Sequence, residues 1–397
     1  MNILMVTDVY FPRINGVSTS IQTFKRELEA LGHRVCVIAP DYPQQYENEP
    51  GVMRVESRKV LMDPEDRMMK KSVALSLVDE LKLMDFDLVH IQTPFVAHYL
   101  GVKLAKLLNI PKVVSYHTFF EEYLFHYLPY VPKKLMQWIA RRFSRAQCNQ
   151  VDSVVVPSTA MQSVLEGYGV QKPTEIIPTG IYLPQRECDE QKLSQFRSSL
   201  DIARDRPCLV HVGRIAYEKN IEFLIHVIYK VKRRIQNLAV IIAGEGPALK
   251  DIKALSHELG LSDTIYFTGY LDRGGSLQDC YCSGDAFIFA SKTETQGLVL
   301  LEAMALGVPV VSTAIMGTKD ILKAAQGALV AADDSDDFTA KIMRLLTDHG
   351  LRTSLGNQAR VYAQQWSASE MAQQMLRFYS SVLKQRQSIS TSRAVVE

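Results

Sequence analysis

Short β-branched runs alternate with longer helical patterns from one end of the chain to the other, and the series occurs twice. The first series places strands at 2–6, 34–39, 87–91, 112–116, 152–156 and 174–177. The second begins at Pro207, with strands at 208–212, 238–243, 265–268, 286–289, 308–312 and 328–330. Each run is apolar on consecutive positions, which is what a strand needs when helices cover both faces of its sheet. Such sheets are parallel and joined by right-handed crossovers, so the fold class is α/β. A length of 397 residues accommodates two doubly wound, Rossmann-like domains better than one.

These patterns predict an N-terminal domain over 1–182, a linker over 183–206 carrying a short amphipathic helix near 191–200, and a second domain over 207–366. Helical stretches at 336–347, 351–365 and 367–384 follow the last strand, and the polar end, 387–397, is expected to be disordered. Ligands of open parallel sheets bind beyond the carboxyl ends of the strands, so two such sheets facing each other would enclose a cleft. The informative residues should therefore follow strands.

Composition removes several classes of function. Lys plus Arg is 45 against 43 for Asp plus Glu, and a net charge of +2 gives no global field to recruit nucleic acid. Every apolar run is shorter than the roughly 18–20 residues of a spanning helix, and the first starts without a basic leader. The expectation is a chain that neither spans a bilayer nor carries a secretion signal. Six dispersed cysteines (Cys36, Cys148, Cys188, Cys208, Cys280, Cys282) form no CxxC pair, so free thiols in a reducing cytosol are expected and a zinc site is not.

The first strand runs into Thr7–Ser18, after which Ile21, Phe24, Leu28 and Leu31 mark one helix face closed by Gly32. Gly16 beside Val17 at that helix start would let a phosphate approach backbone amides at the positive end of the dipole. A turn with Ser18 as N-cap accounts for the same residues. No GxGxxG occurs, since Gly244-Glu245-Gly246-Pro247 lacks the third glycine, which removes the main support for a dinucleotide-dependent dehydrogenase.

The first strand of the second domain ends in Gly213-Arg214-Ile215-Ala216-Tyr217-Glu218-Lys219. Cations at a helix start oppose its dipole and call for an anion. Arg214 suits a bidentate grip on phosphate oxygens and Lys219 a point charge. Bonding to Glu218 or Glu222 is the plain alternative. Further on, Ser291-Lys292-Thr293-Glu294-Thr295-Gln296-Gly297-Leu298 turns from a buried strand into a helix that Gly307 and Pro309 end. Glu294 lies on the loop and Glu302 about five residues inside the helix, roughly 7–8 Å along its axis. Two carboxylates so spaced can hold polyol hydroxyls on either side of a phosphate. A capping box with Ser291 is the alternative for Glu294. Glu302, among Leu300, Leu301, Ala303, Met304 and Ala305, requires a partner its neighbours do not provide.

Together these motifs resemble the retaining GT-B glycosyltransferases of glycosyltransferase family 4, over about residues 1–380. The resemblance implies a C-terminal domain that holds a nucleotide sugar, an N-terminal domain that holds the acceptor, and a last helix, 367–386, that crosses back to the first domain. It assigns Glu302 to the ribose hydroxyls, and Glu294 with Thr295, Gln296, Gly297 and Leu298 to the sugar and distal phosphate. Gly213, Arg214 and Lys219 take the diphosphate, joined by Gly16 and Val17, with the base against Gly269, Tyr270 and Leu271. It assigns His117, at a strand's carboxyl end, contact with the transferred sugar and orientation of the acceptor, while a donor phosphate oxygen takes the proton. His117, Arg214, Lys219 and Glu294 are thus the candidate catalytic set. No metal or other cofactor is implied; N-capping explains Asp334-Ser335-Asp336.

A basic helix with Lys133, Lys134, Trp138, Arg141, Arg142 and Arg145 suits an anionic bilayer surface, with Leu135, Ile139 and Phe143 on its apolar side. A core-facing stripe with a solvated basic face is equally physical. The cluster Arg67–Lys71 precedes another helical pattern and adds to the membrane reading. Tyr116-His117-Thr118, Glu122-Tyr123 and His126-Tyr127-Leu128-Pro129, with Thr293–Leu298, resemble the bacterial diacylglycerol glucosyltransferases within the family. That resemblance implies UDP-glucose, a diacylglycerol-type acceptor reached from Tyr123 and His126, and peripheral attachment to the inner face of the cell membrane. Transfer to a soluble acceptor, and a nucleotide-sugar-binding protein without transfer, are the alternatives.

Overall fold

The structure is a computed structural model that describes residues 1–43, 49–59, 67–117, 119, 132–184, 188–273 and 275–394, without the side chains of 133 and 389–394. The chain divides into two units, Met1–Gly180 with Ala368–Glu397, and Ile181–Ser367.

The first unit is built on a seven-stranded sheet. Its strands are β1 (Asn2–Val6), β2 (Arg34–Pro40), β3 (Val52–Val55), β6 (Leu88–Ile91), β7 (Lys112–Ser115), β8 (Ser153–Val156) and β9 (Thr174–Ile176). Two short strands, β4 (Ser57–Lys59) and β5 (Arg67–Met69), pair antiparallel outside it. The sheet order is β3-β2-β1-β6-β7-β8-β9, and every pairing is parallel. The sequence periodicity located six of these seven strands and missed β3, β4 and β5, which are short and carry charged residues. Arg67–Met69, expected only as a basic cluster ahead of a helix, is a strand, and Lys70 pairs with Glu56.

The Gly16–Ala30 helix packs Ile21, Phe24 and Leu28 on Ile3, Met5, Val35 and Val37 of the sheet. The Ala368–Ala394 helix adds Met371, Met375 and Tyr379 to the same cluster. Its helical conformation continues to Ala394, so residues 387–394 are not the disordered tail expected from their polarity.

The second unit is a six-stranded parallel sheet of β10 (Cys208–Val212), β11 (Ala239–Ala243), β12 (Ile265–Gly269), β13 (Ala286–Phe289), β14 (Val310–Thr313) and β15 (Ala328–Ala331), in the order β12-β11-β10-β13-β14-β15. Its two faces carry separate apolar clusters. One contains Leu300, Met304, Ala359 and Tyr362, the other Leu224, Ile228, Phe338 and Ile342. In both units the chain builds outward from a central strand to one edge, then returns to its other side. That reversal, between β1 and β6 and again between β10 and β13, leaves a crevice at the strand ends.

Within the predicted linker, residues 188–206 pack on the second unit. The Glu190–Ser198 helix is capped by Asp189, and Phe196, Leu200 and Ile202 pack against the second unit's core. Buried Arg197 closes the segment by donating to the carbonyls of Arg204 and Arg206, each at 2.6 Å. This packing brings Cys188 to a Cα–Cα distance of 5.7 Å from Cys282, where the two form a disulfide, against the expectation of six free thiols. The partners lie 94 residues apart, so no local spacing revealed them. Cys36, Cys148, Cys208 and Cys280 are buried thiols.

Candidate active site

At the reversal point of the second unit, the loops after β10 and β13 are braced against each other. Lys219 Nζ donates to Glu294 Oε2 at 2.7 Å, both side chains about one-fifth exposed. Asn220 Nδ2 donates to the Ala290 carbonyl at 3.1 Å, and Thr293 Oγ1 to the Glu218 carbonyl at 3.3 Å. The local alternatives for both charged residues are therefore replaced. Lys219 pairs across the reversal rather than with Glu218 or Glu222, and Ser291 Oγ, fully buried, has no hydrogen-bond partner among the described residues, so it forms no capping box with Glu294.

Gly213 and half-buried Arg214 sit at the root of the first loop, immediately after β10. The loop after β11 fits tightly against them: a Cβ on Gly244 would lie 2.0 Å from the Gly213 carbonyl oxygen, and one on Gly246 would lie 2.3 Å from that of Ile215. This pair of glycines serves close backbone packing rather than a dinucleotide fingerprint. The Gly244 amide donates to the Gly269 carbonyl at 2.8 Å, joining the start of Gly269-Tyr270-Leu271 to the same edge, with Tyr270 exposed.

The second loop enters the Leu298–Ala305 helix through Gly297 in the left-handed region, φ 104°. The first helical turn holds no acidic side chain, so its amides present an uncompensated positive end. Thr295 and Gln296 lie against Gly317, whose amide donates to the Glu294 carbonyl at 2.8 Å. Glu302, a turn inside the helix, accepts from the Tyr281 hydroxyl at 2.7 Å and from Arg273 Nη1 at 3.2 Å. The partner its neighbours withhold comes from another helix and another loop.

In the first unit Asn15, not Ser18, is the N-cap of the Gly16–Ala30 helix. Its Oδ1 accepts from the amides of Val17 at 3.0 Å and Ser18 at 2.9 Å. Gly16 is the first helical residue, and a Cβ there would meet nothing within 4 Å, so internal packing does not demand a glycine. His117 follows β7 half-buried, its Nε2–H donating to Gln92 Oε1 at 3.3 Å. Desolvation lowers its pKa to about 4, so it is a neutral imidazole with Nδ1 as the acceptor.

Of the residues assigned to acceptor or membrane, Tyr123 and His126 lie outside the described residues, as does the side chain of Lys133. Lys134, Trp138, Arg141, Arg142 and Arg145 are on the Lys133–Cys148 helix with exposed side chains. Met136, Ala140, Ser144, Gln147 and Cys148 face inward, whereas Leu135, Trp138 and Ile139 are 49%, 59% and 45% exposed. The apolar stripe expected to face either core or membrane is thus turned outward over most of its length. Arg142 lies over the Trp138 ring, 5.7 Å from its centroid.

Residues 14–183 match Glycosyltransferase Family 4, and residues 194–362 match Glycosyl transferases group 1. An alpha-monoglucosyldiacylglycerol synthase of Streptococcus pneumoniae (strain ATCC BAA-255 / R6) is 32% identical over 368 residues, 85% of this chain and 80% of that protein. The chain belongs to the family 4 glycosyltransferases. Relatives of this glycosyltransferase are not uniform in name. A GDP-mannose-dependent alpha-mannosyltransferase of Mycolicibacterium smegmatis (strain ATCC 700084 / mc(2)155) is 26% identical over 402 residues, 97% of this chain and 99% of that one. Among solved structures, Anabaena Alr3699/HepE in complex with UDP-glucose superimposes with a TM-score of 0.75 at 17% identity, covering 96% of this chain and 99% of that one. The fold is accordingly GT-B.

Sequence reasoning missed four residues of this glycosyltransferase's strand-end regions: Tyr281 and Arg273 on Glu302, Gln92 on His117, and Asp8. Asp8 is buried and accepts from Thr93 Oγ1 at 2.8 Å and the Ala97 amide at 3.0 Å. Its position just after the first strand, and that of Gln92 immediately after β6, were usable signals; Tyr281 and Arg273 become visible only in three dimensions. Asp334 does act as a cap, its Oδ1 accepting from the amides of Asp336 at 3.0 Å and Asp337 at 2.8 Å.

Proposed function

We propose that this glycosyltransferase moves a hexose, glucose in the first instance, from a UDP-sugar to a diacylglycerol-type lipid with retention of configuration. The observation that carries the reading is the Lys219–Glu294 pair bridging the reversal-point loops just before the Leu298–Ala305 helix. Arg214 and Lys219 neutralise the departing diphosphate, and the helix amides receive its distal phosphate. Glu294 and the Thr295–Leu298 backbone hold the sugar, Glu302 the ribose hydroxyls, and Gly269–Leu271 the base. The acceptor oxygen bonds to the anomeric carbon on the face from which the diphosphate oxygen leaves, and the acceptor proton passes to that phosphate oxygen. Neutral His117 contacts the sugar and orients the acceptor. Gly16, a glycine that packing does not require, offers unobstructed approach to an anion at its helix start.

The lipid half of the reading is supported by the name of the Streptococcus pneumoniae relative and by the outward Leu135, Trp138 and Ile139 beside Lys134, Arg141, Arg142 and Arg145. Such a face binds reversibly, apolar side chains entering the headgroup boundary and cations meeting anionic lipid. Among the described residues no helix is long and apolar enough to cross a membrane. Peripheral attachment at the cytoplasmic face belongs to this reading, as does transfer without a resident divalent metal. The Mycolicibacterium smegmatis relative favours a second reading, mannose from GDP-mannose to another acceptor.

A screen of nucleotide release tests both, using UDP-glucose, UDP-galactose and GDP-mannose with and without anionic vesicles containing diacylglycerol, in EDTA. The expected result is UDP release from UDP-glucose that requires diacylglycerol and yields the α-linked glucolipid. Release from GDP-mannose alone, a β-linked product, or activity restored only by added Mg²⁺ each overturns the corresponding part.

A further inference from the structure

Glu302 is held in two unlike ways. Tyr281, the penultimate residue of the Ser276–Cys282 helix, is 2% exposed, and its ring lies 5.6 Å from that of Phe287 on β13. Its hydroxyl donates to Glu302 Oε2 at 2.7 Å. Arg273, on the loop after β12, reaches Oε1 at 3.2 Å from a side chain 47% exposed. A buried phenol must keep a partner, because breaking that bond strands a polar group without water. Desolvation, and then the neighbouring Glu302 charge, push the Tyr281 pKa well above the phenolic range, so the hydroxyl remains a donor. An exposed guanidinium loses little on release, since water replaces the carboxylate.

The Glu302 carboxylate has about four lone-pair directions and three torsions between it and the backbone, so one rigid bond at Oε2 restricts where the remaining acceptor sites point. We infer that Tyr281 is a positioning residue that presents Glu302 to the ribose diol of the nucleotide, and thereby sets the preference of the donor site for ribose over deoxyribose. Arg273 occupies Oε1 only until the sugar hydroxyls replace it. The inference rests on the reading of Glu302 as the ribose ligand. It goes beyond that reading in assigning the selectivity to a residue 21 positions away that need not touch the nucleotide.

The test is calorimetric binding of UDP and 2′-deoxy-UDP to the full chain and to Y281F, E302Q and R273A. The full chain should prefer UDP by about tenfold or more, the scale of one hydrogen bond to a charged group. In Y281F the preference should fall to within about threefold, while the Kd for 2′-deoxy-UDP changes by less than about twofold, a pattern that general loosening of the site would not give. E302Q should lower the preference as well, and R273A should keep it. If E302Q lowers the preference and Y281F does not, positioning by Tyr281 is overturned and the ribose reading stands. If neither lowers it, the ribose reading itself fails. Should Y281F not fold, R273A still decides, because loss of the preference there would give the positioning role to Arg273.

Discussion

The two units share a strand order and differ in what they place at its reversal point. In the second unit the loops after β10 and β13 are tied by a cation and a carboxylate, Lys219 and Glu294. In the first unit the equivalent strand ends carry groups that burial drives toward neutrality. Desolvation raises the pKa of Asp8, after β1, to about 6. Desolvation lowers His90 on β6 to about 3, where its ring bonds to the hydroxyls of Tyr379 at 2.6 Å and Ser115 at 2.8 Å, and lowers His117 to about 4. One topology therefore serves two chemistries. A charge pair suits an anionic leaving group, whereas the first unit sets two histidines that are neutral at pH 7 beside one carboxyl, Asp8, that ionises only above about pH 6.

The largest effect should come from removing the charge. Lys219→Ala is expected to lower kcat by roughly 10²–10³-fold, the scale of one preorganised group at a developing charge. UDP affinity should fall far less, because the cation matters most when the diphosphate departs. Single-turnover rates set beside UDP binding check this. Equal losses in rate and affinity would reduce Lys219 to a ground-state ligand and blunt the contrast between the units.

The neutral side of the comparison is open to titration. A histidine depressed from about 6.5 binds fewer protons folded than unfolded, so His90 and His117 make stability rise with pH between about 3 and 6.5. Asp8, raised from 3.8 to about 6, has the opposite sign: its contribution is fully present below the unfolded value and is lost as pH rises through about 6. Asp8→Asn should remove that opposition, so the first unit of the variant loses stability more steeply as pH falls from 6 to 4. The difference over that interval should be about 2 kcal/mol, at about 1.4 kcal/mol per pKa unit with the Asp8 carboxyl half-titrated at the upper end. Hydrogen exchange in urea, resolved by peptide, reads each unit separately. Parallel pH curves for variant and parent would show that Asp8 is not buried in this way.

Most of the fold was legible because consecutive apolar strands and amphipathic helices are local patterns. Twelve strands were anticipated within a residue or two, and β3, β4 and β5 escaped because Arg54, Arg58, Lys59 and Arg67 break the apolar runs. The strand-end placement of Arg214, Lys219 and Glu294 was legible because each lies on the loop that follows a predicted strand. The site was illegible where two distant segments meet. Tyr281 lies 21 residues from the Glu302 it bonds, and the Cys188–Cys282 bridge spans 94. The 387–394 segment misled because its polar sequence reads as disorder, although its backbone continues a helix anchored upstream by Met371, Met375 and Tyr379.

The smallest expected effect concerns the first unit's outer surface, where the contrast becomes one of partner rather than of charge. Trp138 is 59% exposed beside Leu135 and Ile139, with Arg142 over its ring. On binding anionic vesicles its fluorescence should shift to the blue as the indole enters the headgroup boundary. Trp366 lies in the second unit and reports that unit instead, so W366F isolates the signal from Trp138. Trp138→Ala should weaken vesicle binding by about tenfold, and replacing Arg141 and Arg142 together should cost about thirtyfold at low salt, at about 1 kcal/mol per cation near the surface, a loss that vanishes at high salt. The two losses have different causes, so only the second should depend on ionic strength. If Trp138 shows no shift and the vesicles do not bind, the exposed stripe serves some contact other than lipid, and the acceptor must be sought among soluble molecules.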